Sequence, residues 1–152
     1  MHGGGDQEPA AAAVVAAIRP ARREEIGEVL ALLALARTAA ATTPDDERAL
    51  TGVFERDAGA LLVAELEGRL VGTLIATWDG WRGNMYRLAV LPDHRRRGVA
   101  TRLVQAGHER LRALGARRIT ALLGDSDTQA ASFWLALGYH HDEHVKRFVA
   151  EI

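Results

Sequence analysis

The chain has 152 residues, of which 48% are hydrophobic and 26% are charged, with 19 Lys and Arg against 20 Asp and Glu. This length fits one compact domain with its own core and is too short for two ordinary domains. The formal net charge of -1 argues against a dedicated nucleic-acid-binding protein, whose domain is usually strongly basic. The absence of cysteine excludes disulfides, thiolate metal sites and a cysteine nucleophile, and it is compatible with a cytoplasmic protein.

The first 13 residues are rich in glycine and alanine, and we expect them to form a disordered, low-complexity tail. No basic region precedes the alanine-rich piece, as it would in a secretion signal. No stretch of the chain approaches the roughly 18 uninterrupted apolar residues that a membrane span needs. We therefore expect one domain at residues 14–152 and no membrane partner.

From residue 14 onward, hydrophobic spacing and turn residues predict alternating strands and helices. Thr43 is the expected N-cap of the second helix, Pro44 lies in its first turn, and Gly115 is the expected C-terminal cap of the third helix. The predicted elements are, in chain order, a strand at 14–20, helices at 23–40 and 42–57, strands at 60–66, 70–78 and 85–91, a helix at 99–114, a strand at 117–124, a helix at 128–138 and a strand at 144–152.

The order β-α-α-β-β-β-α-β-α-β predicts an α/β (α+β) fold. Apolar runs such as "ITALLG", residues 119–124, are typical of strands buried on both faces, which need cover above and below. We therefore expect a single domain with one mixed sheet and helices on both faces.

The stretch "AVLPDHRRRGVATRLV", residues 89–104, leads from a predicted strand through three arginines into a predicted helix. It fits a basic patch for nucleic acid, a cradle for the phosphates of a small cofactor, or a solvated turn. Unpaired amides at a helix N-terminus favour an anion, Gly98 permits close approach of the backbone, and arginines add forked hydrogen bonds to phosphate. The G-x-G-x-x-G and P-loop motifs are absent here, which argues against Rossmann and NTPase sites.

Two motifs in the second half of the chain resemble those of the GNAT superfamily of N-acetyltransferases. The acyl-CoA signature [RQ]-x-x-G-x-[GA], between the fourth strand and third helix, is matched by Arg95, Gly98 and Ala100. The later motif N-x-x-A-x-x-F-Y-x-x-x-G-[FY] is matched by Ala130, Phe133, Gly138 and Tyr139. The two motifs occur in the family's order, and the resemblance extends from residue 18 to the C-terminus, including the order of strands and helices.

The resemblance implies that acetyl-CoA is the cosubstrate. Its pantetheine arm would pair with the backbone of residues 88–90, and its pyrophosphate would lie on the amides of residues 96–101. A backbone N–H near Val90 would stabilise the oxyanion that forms when an amine attacks directly within a ternary complex. The implied cofactor-binding residues are Leu88, Ala89, Val90, Arg95, Arg96, Arg97, Gly98, Val99, Ala100, Thr101, Asp127, Ala130, Phe133 and Trp134.

Two positions depart from the family pattern, and they affect the expected mechanism. Asp127 stands where an asparagine often contacts pantetheine, and Trp134 stands where a tyrosine often protonates the leaving thiolate. An indole N–H is a hydrogen-bond donor but not a practical proton source, so no side chain is assigned as the general acid. For the general base, Tyr86 and Asp79 are the candidates, with a packed strand aromatic and a turn residue as their respective structural alternatives.

Two further features have both a functional and a structural interpretation. Trp78 and Trp81 could form a wall for an acceptor amine or could cover the sheet edge. The stretch "HHDEH", residues 140–144, matches the zinc motif H-x-x-E-H, which requires a helix. In the extended strand predicted here, His140 and His144 would lie about 13 Å apart, so we expect a polar hairpin and no metal.

Three functions remain open from the sequence. The first is an N-acetyltransferase acting on the primary amine of a small molecule or peptide. The second is a non-catalytic acyl-CoA-binding module of the same fold, favoured by the missing tyrosine. The third, a nucleic-acid-binding domain, is opposed by the balanced charge. Homodimers are common among proteins similar to this one, so a homodimer is possible.

Overall fold

A computed structural model describes residues 14–36 and 45–152 of the protein. Within these ranges the chain forms five strands and four α-helices, joined by three short 3-10 helices. The strands are β1 (Ala17–Pro20), β2 (Leu61–Leu66), β3 (Arg69–Trp78), β4 (Gly83–Val90) and β5 (Ile119–Ala121). The α-helices are α1 (Ile26–Ala36), α2 (Glu47–Arg56), α3 (Val99–Leu114) and α4 (Thr128–Ala136).

The five strands form one mixed sheet in the order β1-β2-β3-β4-β5. The first four strands are antiparallel neighbours, whereas β5 runs parallel to β4 because α3 carries the chain back across the sheet. Strand β3 is buried at every position from Leu70 to Ala76, so both of its faces are covered. The predicted mixed sheet with helices on both faces is confirmed.

Helix α3 lies close to the sheet because glycines stand at the contact. A Cβ atom on Gly107 would lie 2.5 Å from Met85 Cε of β4, and one on Gly72 of β3 would lie 3.0 Å from Leu103 Cδ1 of the helix. The buried residues Leu103 and Leu111 of α3 complete this interface. Close packing of α3 against β3 and β4 fixes the N-terminus of the helix beside the end of β4.

Two of the predicted strands are wrong: one is shorter than predicted, and the other does not form. Strand β5 contains three paired residues rather than the whole run 117–124, and none of the three is fully buried. Residues 144–152 form no strand. Both differences have the same cause. A strand needs a neighbouring backbone to pair with its amides and carbonyls, and an apolar composition alone does not provide that neighbour.

The remaining differences concern the ends of elements. Strand β1 begins at Ala17 rather than residue 14. Helix α2 begins at Glu47, and its N-cap is Asp46, whose carboxylate accepts a hydrogen bond from Ala49 N at 2.7 Å. Thr43 and Pro44, like the predicted tail at residues 1–13, lie outside the described residues. In the part of the chain that is described, no helix combines the length and apolarity needed to cross a membrane.

Candidate active site

The loop between β4 and α3 presents backbone amides at the start of a helix. Arg96 and Gly98 both adopt left-handed conformations, with φ of 62° and 76°, and Gly98 is the N-cap of α3. The first amide of this helix to bond back to the N-cap is Arg102 N, which donates to Gly98 O at 3.0 Å. The amides of residues 99–101 precede it and have no acceptor within the helix, which makes this helix end suited to an anion.

The three arginines of the loop have different positions. The Arg95 guanidinium donates to two backbone carbonyls, Val90 O at 3.2 Å and Ala36 O at 3.1 Å. It therefore ties the loop to the end of β4 and to the end of α1. Arg96 and Arg97 are exposed beside Gly98, where a Cβ atom would meet no protein atom within 4 Å. The space in front of the helix N-terminus is open.

Strand β4 carries a bulge that sequence reasoning did not find. Ala89 pairs with Thr73 and Tyr86 pairs with Ile75, so Arg87 and Leu88 together face one residue of β3. Arg87 is left-handed, with φ of 56°. A bulge of this kind leaves a residue out of the ladder and re-aims its backbone groups. No sequence signal marks it, because the left-handed residue is an arginine rather than a glycine.

The sheet opens at the same place. The pairing of β4 with β5 ends at Met85 and Ala121. From Tyr86 to Val90, the edge of β4 away from β3 therefore has no β5 residue beside it. Ala89 and Val90 are buried and Leu88 is half-buried, and the carbonyl of Val90 accepts from Arg95 Nε at 3.2 Å. Strand β4 leads from this open edge into the amide-rich loop before α3.

Helix α4 carries the later motif, and Tyr139, which follows the helix, approaches β4 with its hydroxyl 3.8 Å from Met85 Sδ. Asp127 is its N-cap, and its carboxylate accepts a hydrogen bond from Ala130 N at 2.9 Å. Trp134 is buried in the core, with its ring edge-on to Phe133 at 5.5 Å and to Tyr139 at 4.7 Å between centroids. In this structure Asp127 acts as a helix cap and Trp134 as a packing residue.

A polar pair that the sequence did not predict lies where β4 and β5 separate. His108 Nε2 of α3 is 2.7 Å from the Tyr139 hydroxyl, which is 3.8 Å from Met85 Sδ. Burial raises the pKa of Tyr139 to about 12 and, with a smaller effect of the Arg112 charge, lowers the pKa of His108. Both groups are thus neutral at neutral pH, and they connect α3, β4 and the residue after α4.

The two candidate bases have different surroundings. Asp79 lies in the turn between β3 and β4, where its carboxylate accepts from Arg82 N at 2.6 Å and from Trp81 N at 2.8 Å. These backbone hydrogen bonds lower the pKa of Asp79, which weakens it as a base. Tyr86 is half-buried on β4, directly before the bulge, and packs against the core. The geometry favours the turn interpretation for Asp79.

The two tryptophans lie at the end of β4 remote from the loop. Trp78 ends β3 and approaches Gly115 at the C-terminal end of α3, whereas Trp81 is 84% exposed in the turn. The start of β4 at Gly83 is about 13 Å along the strand from Arg87. The structure therefore does not bring Trp78 and Trp81 together with the bulge and the amide loop.

The histidine-rich segment contributes to a surface contact. Asp142 forms an ion pair with Arg118, the residue before β5, and accepts a hydrogen bond from His144 N at 3.2 Å. Among residues 14–36 and 45–152, no three His, Cys, Asp or Glu side chains are grouped in a way that could hold a metal ion.

Comparison with known proteins identifies the family. The acetyltransferase (GNAT) family matches residues 15–139 of the chain. Among solved structures, the aminoglycoside N-acetyltransferase AAC(6')-Iy in complex with CoA is 21% identical, with a TM-score of 0.73 over 95% of this chain and 100% of that one. AAC(6')-IG from Acinetobacter haemolyticus is 20% identical, with a TM-score of 0.68 over 90% and 99%. Ard1 from Thermoplasma volcanium is 17% identical, with a TM-score of 0.73 over 82% of each chain. These identities show a shared fold, and the family match over most of the chain shows that it belongs to the acetyltransferase (GNAT) family.

Proposed function

We propose that the protein is an N-acetyltransferase that transfers the acetyl group of acetyl-CoA to the primary amine of a small molecule or peptide. The observation that carries the proposal is the amide-rich helix start at residues 98–101, placed directly beyond the unpaired edge of β4. The amides at the helix start suit a diphosphate, and the unpaired edge of the strand suits an extended arm that contains amides. The CoA complex of AAC(6')-Iy supports the same class of ligand.

The residues at the loop fit the pyrophosphate of acetyl-CoA. Its negative charge would face the amides of residues 96–101 and the positive end of the α3 dipole. Arg96 and Arg97 are exposed beside these amides and can add charge-assisted hydrogen bonds. Arg95 holds the loop through carbonyls of Val90 and α1, so in this proposal it shapes the site more than it grips phosphate.

The edge of β4 fits the pantetheine arm. The arm carries amides that can pair with the backbone of residues 88–90, as an added strand would. The arm would then lie in the gap between β4 and β5, with α4 residues Ala130 and Phe133 on its far side. Asp127 caps α4 and positions this side of the gap.

The acceptor nitrogen attacks the acetyl carbonyl carbon, the C–S bond of the thioester breaks, and the thiolate of CoA leaves. The thiolate takes up a proton from solvent, while the nitrogen that becomes the amide releases one to solvent. Binding at β4 orients the carbonyl, and a backbone N–H at the bulge stabilises the negative charge that develops on its oxygen. The acceptor ammonium must lose a proton before it attacks. We assign Tyr86 to hold a water that carries this proton away, since it lies directly before the bulge and Asp79 is held in a distant turn.

In this proposal, surface charge recognises the acceptor amine. The start of helix α2 has a negative face formed by Asp46 and Glu47, whereas Glu55 and Asp57 at the other end are ion-paired with Arg23 and Arg110. A cationic amine is complementary to this negative face. A panel of amines that includes a polyamine, an aminoglycoside and a peptide N-terminus would identify the acceptor class by thiol release.

The cradle is tested by Gly98→Glu with Gly68→Glu as its matched control. Both glycines have φ near 76°, and a Cβ atom on either would meet no atom within 4 Å, so the two substitutions carry a similar backbone cost. Gly98→Glu should weaken acetyl-CoA binding at least about 100-fold by filling and charging the anion site, while Gly68→Glu, in the β2–β3 turn, should bind as the wild type does. Calorimetry on both folded variants measures this. Equal affinities of the two variants for acetyl-CoA would refute the proposed anion site at Gly98.

A non-catalytic acyl-CoA-binding module is the second candidate, and the burial of Trp134 at the family's tyrosine position favours it. Such a module would bind acetyl-CoA in the same gap and release no thiol. Binding by calorimetry together with no turnover across the amine panel would establish the module and refute the enzyme.

We further propose that the protein acts as a cytoplasmic homodimer. The absence of cysteine is compatible with a reducing compartment. The last eight residues expose Val145, Phe148, Val149 and Ile152 to solvent, and an apolar stretch of this size supports an interface with a second copy.

A further inference from the structure

Arg87 has an unusual backbone conformation for its place in the fold. Three non-glycine residues in the described ranges have positive φ, namely Glu67, Arg87 and Arg96. Glu67 lies in a hairpin turn and Arg96 in the loop before α3, where left-handed residues are common. Arg87 lies inside strand β4. A left-handed arginine within a strand is disfavoured unless surrounding contacts hold it there.

An ion pair supplies such a contact. Arg87 Nε donates to Asp45 Oδ1 at 2.5 Å, and the two side chains are only 21% and 18% exposed. Their low exposure reduces screening by water and strengthens the pair relative to one on the surface. Asp45 lies two residues before α2, so the pair joins the start of α2 to the bulge across 42 positions of the sequence.

The location of the bulge connects this pair to the reaction. Arg87 and Leu88 face a single residue of β3, and the edge of β4 toward β5 is open from Tyr86 onward. The backbone amides here are those that the proposed function directs at the acetyl carbonyl. A rotation of φ at Arg87 would turn the Leu88 amide away from that position, and a displacement of about 1 Å can cost about 100-fold in rate.

We propose that the Asp45–Arg87 ion pair holds the β4 bulge in its left-handed conformation and thereby positions the Leu88 amide for acetyl transfer. This inference rests on the proposed function for its catalytic part. Asp45 and Arg87 are positioning residues in this view, because they act through the backbone and contact neither substrate. The pair also links the start of α2, on the negative face proposed for the acceptor, to the site of the reaction.

The test is a double-mutant cycle built on Asp45→Ala and Arg87→Gly. Glycine adopts positive φ without cost, so Arg87→Gly should keep the bulge without needing the carboxylate. We expect Asp45→Ala alone to lower kcat about 10- to 100-fold with a smaller change in KM for acetyl-CoA. We expect Arg87→Gly to retain kcat within about threefold, and Asp45→Ala to have no further effect when it is combined with Arg87→Gly.

A second readout does not depend on activity. The amide resonances of Leu88 and Ala89 in the ligand-free protein should shift in Asp45→Ala, and those of the double variant should superimpose on those of Arg87→Gly. This readout separates the inference from the proposed function, because it responds even if no amine is acetylated. Asp45→Leu, which is similar in size and has no hydrogen-bond acceptor, takes the place of Asp45→Ala if that variant does not fold.

Three results would overturn the inference. The first is an Asp45→Ala protein with wild-type Leu88 and Ala89 resonances. The second is an equal loss of kcat from Asp45→Ala with and without Arg87→Gly, which would mean that Asp45 contacts the acceptor. The third is an inactive Arg87→Gly protein whose Ala89 resonance matches that of the wild type, which would mean that Arg87 binds a substrate directly.

Discussion

Glu25 shows how one side chain can serve both a local turn and the tertiary fold. Its two carboxylate oxygens accept hydrogen bonds from Arg19 Nη1 and Nη2, each at 2.8 Å, and Oε1 also accepts from Arg22 N at 2.8 Å. Arg19 Nε in turn binds Glu65 of β2 at 2.9 Å. The Arg19 guanidinium is the main cause that lowers the pKa of Glu25 to about 2, against partial burial. The network fastens the start of α1 to the edge of the sheet.

The shifted pKa of Glu25 predicts a pH-dependent stability. A carboxylate whose folded pKa lies below its ordinary value of 4.5 stabilises the protein above that value, and its contribution is lost as pH falls from about 4.5 toward 2. We expect Glu25→Gln to lower the free energy of unfolding by about 2 kcal/mol at pH 7 and by much less near pH 2. Urea unfolding of both proteins between pH 7 and pH 2 measures this difference in the free energy of unfolding.

The neighbouring exposed residue supplies the control for that experiment. Glu24 precedes Glu25 in the same short turn and is exposed, so Glu24→Gln should change stability by less than about 0.5 kcal/mol. A constant difference between wild type and Glu25→Gln from pH 7 to pH 2 would contradict the ion-pair explanation.

At the scale of an element, α4 depends on its first residue. The helix spans Thr128–Ala136 and is only nine residues long, so an N-cap is a large part of what stabilises it. Asp127 supplies this cap through Ala130 N. Trp134 then anchors the other end of the helix in the core through its contacts with Phe133 and Tyr139.

The cap predicts different results for two substitutions at Asp127. Asp127→Ala removes the acceptor and should cost about 1 kcal/mol of stability, whereas Asp127→Asn retains a side-chain oxygen and should cost a few tenths at most. Thermal or urea unfolding of the two variants measures the difference. Equal destabilisation by both would show that the carboxylate charge, rather than the cap, is what α4 requires.

At the scale of the whole molecule, the C-terminal segment is the most exposed apolar part of the described chain. Phe148 is 88% exposed and Val149 is 72% exposed, and residues 144–152 pair with no strand. Burial of such side chains stabilises an interface by roughly 25 cal/mol per Å² of apolar surface. A second copy of the chain is the proposed partner for this surface.

The homodimer is tested by exchanging single residues of this segment. Phe148→Ser should weaken self-association at least about tenfold, because it removes the largest apolar side chain of the segment. Arg147→Ser, at the adjacent exposed position, should leave the association within about threefold of wild type. Light scattering coupled to gel filtration across a concentration series measures both, and a wild-type protein that remains monomeric throughout would refute the dimer.

The amino-acid sequence by itself determined the alternation of strands and helices and the position of the amide-rich helix start. These features are local, because hydrophobic spacing and a glycine at the N-cap act over a few residues. Gly98, Gly115 and the run of α3 are in the structure where the sequence predicts them. The same local information identified the family, since both of its motifs are short and continuous.

Only the tertiary structure decided where the strands end and how the site is held. Residues 117–124 and 144–152 have the composition of strands, yet pairing depends on a neighbour, and β4 leaves β5 after three pairs. At the bulge, Arg87 is paired with Asp45, 42 residues away, and no local pattern predicts a left-handed arginine in a strand. In our proposal this contact between distant segments sets the conformation of Arg87, and the contact exists only once the chain has folded.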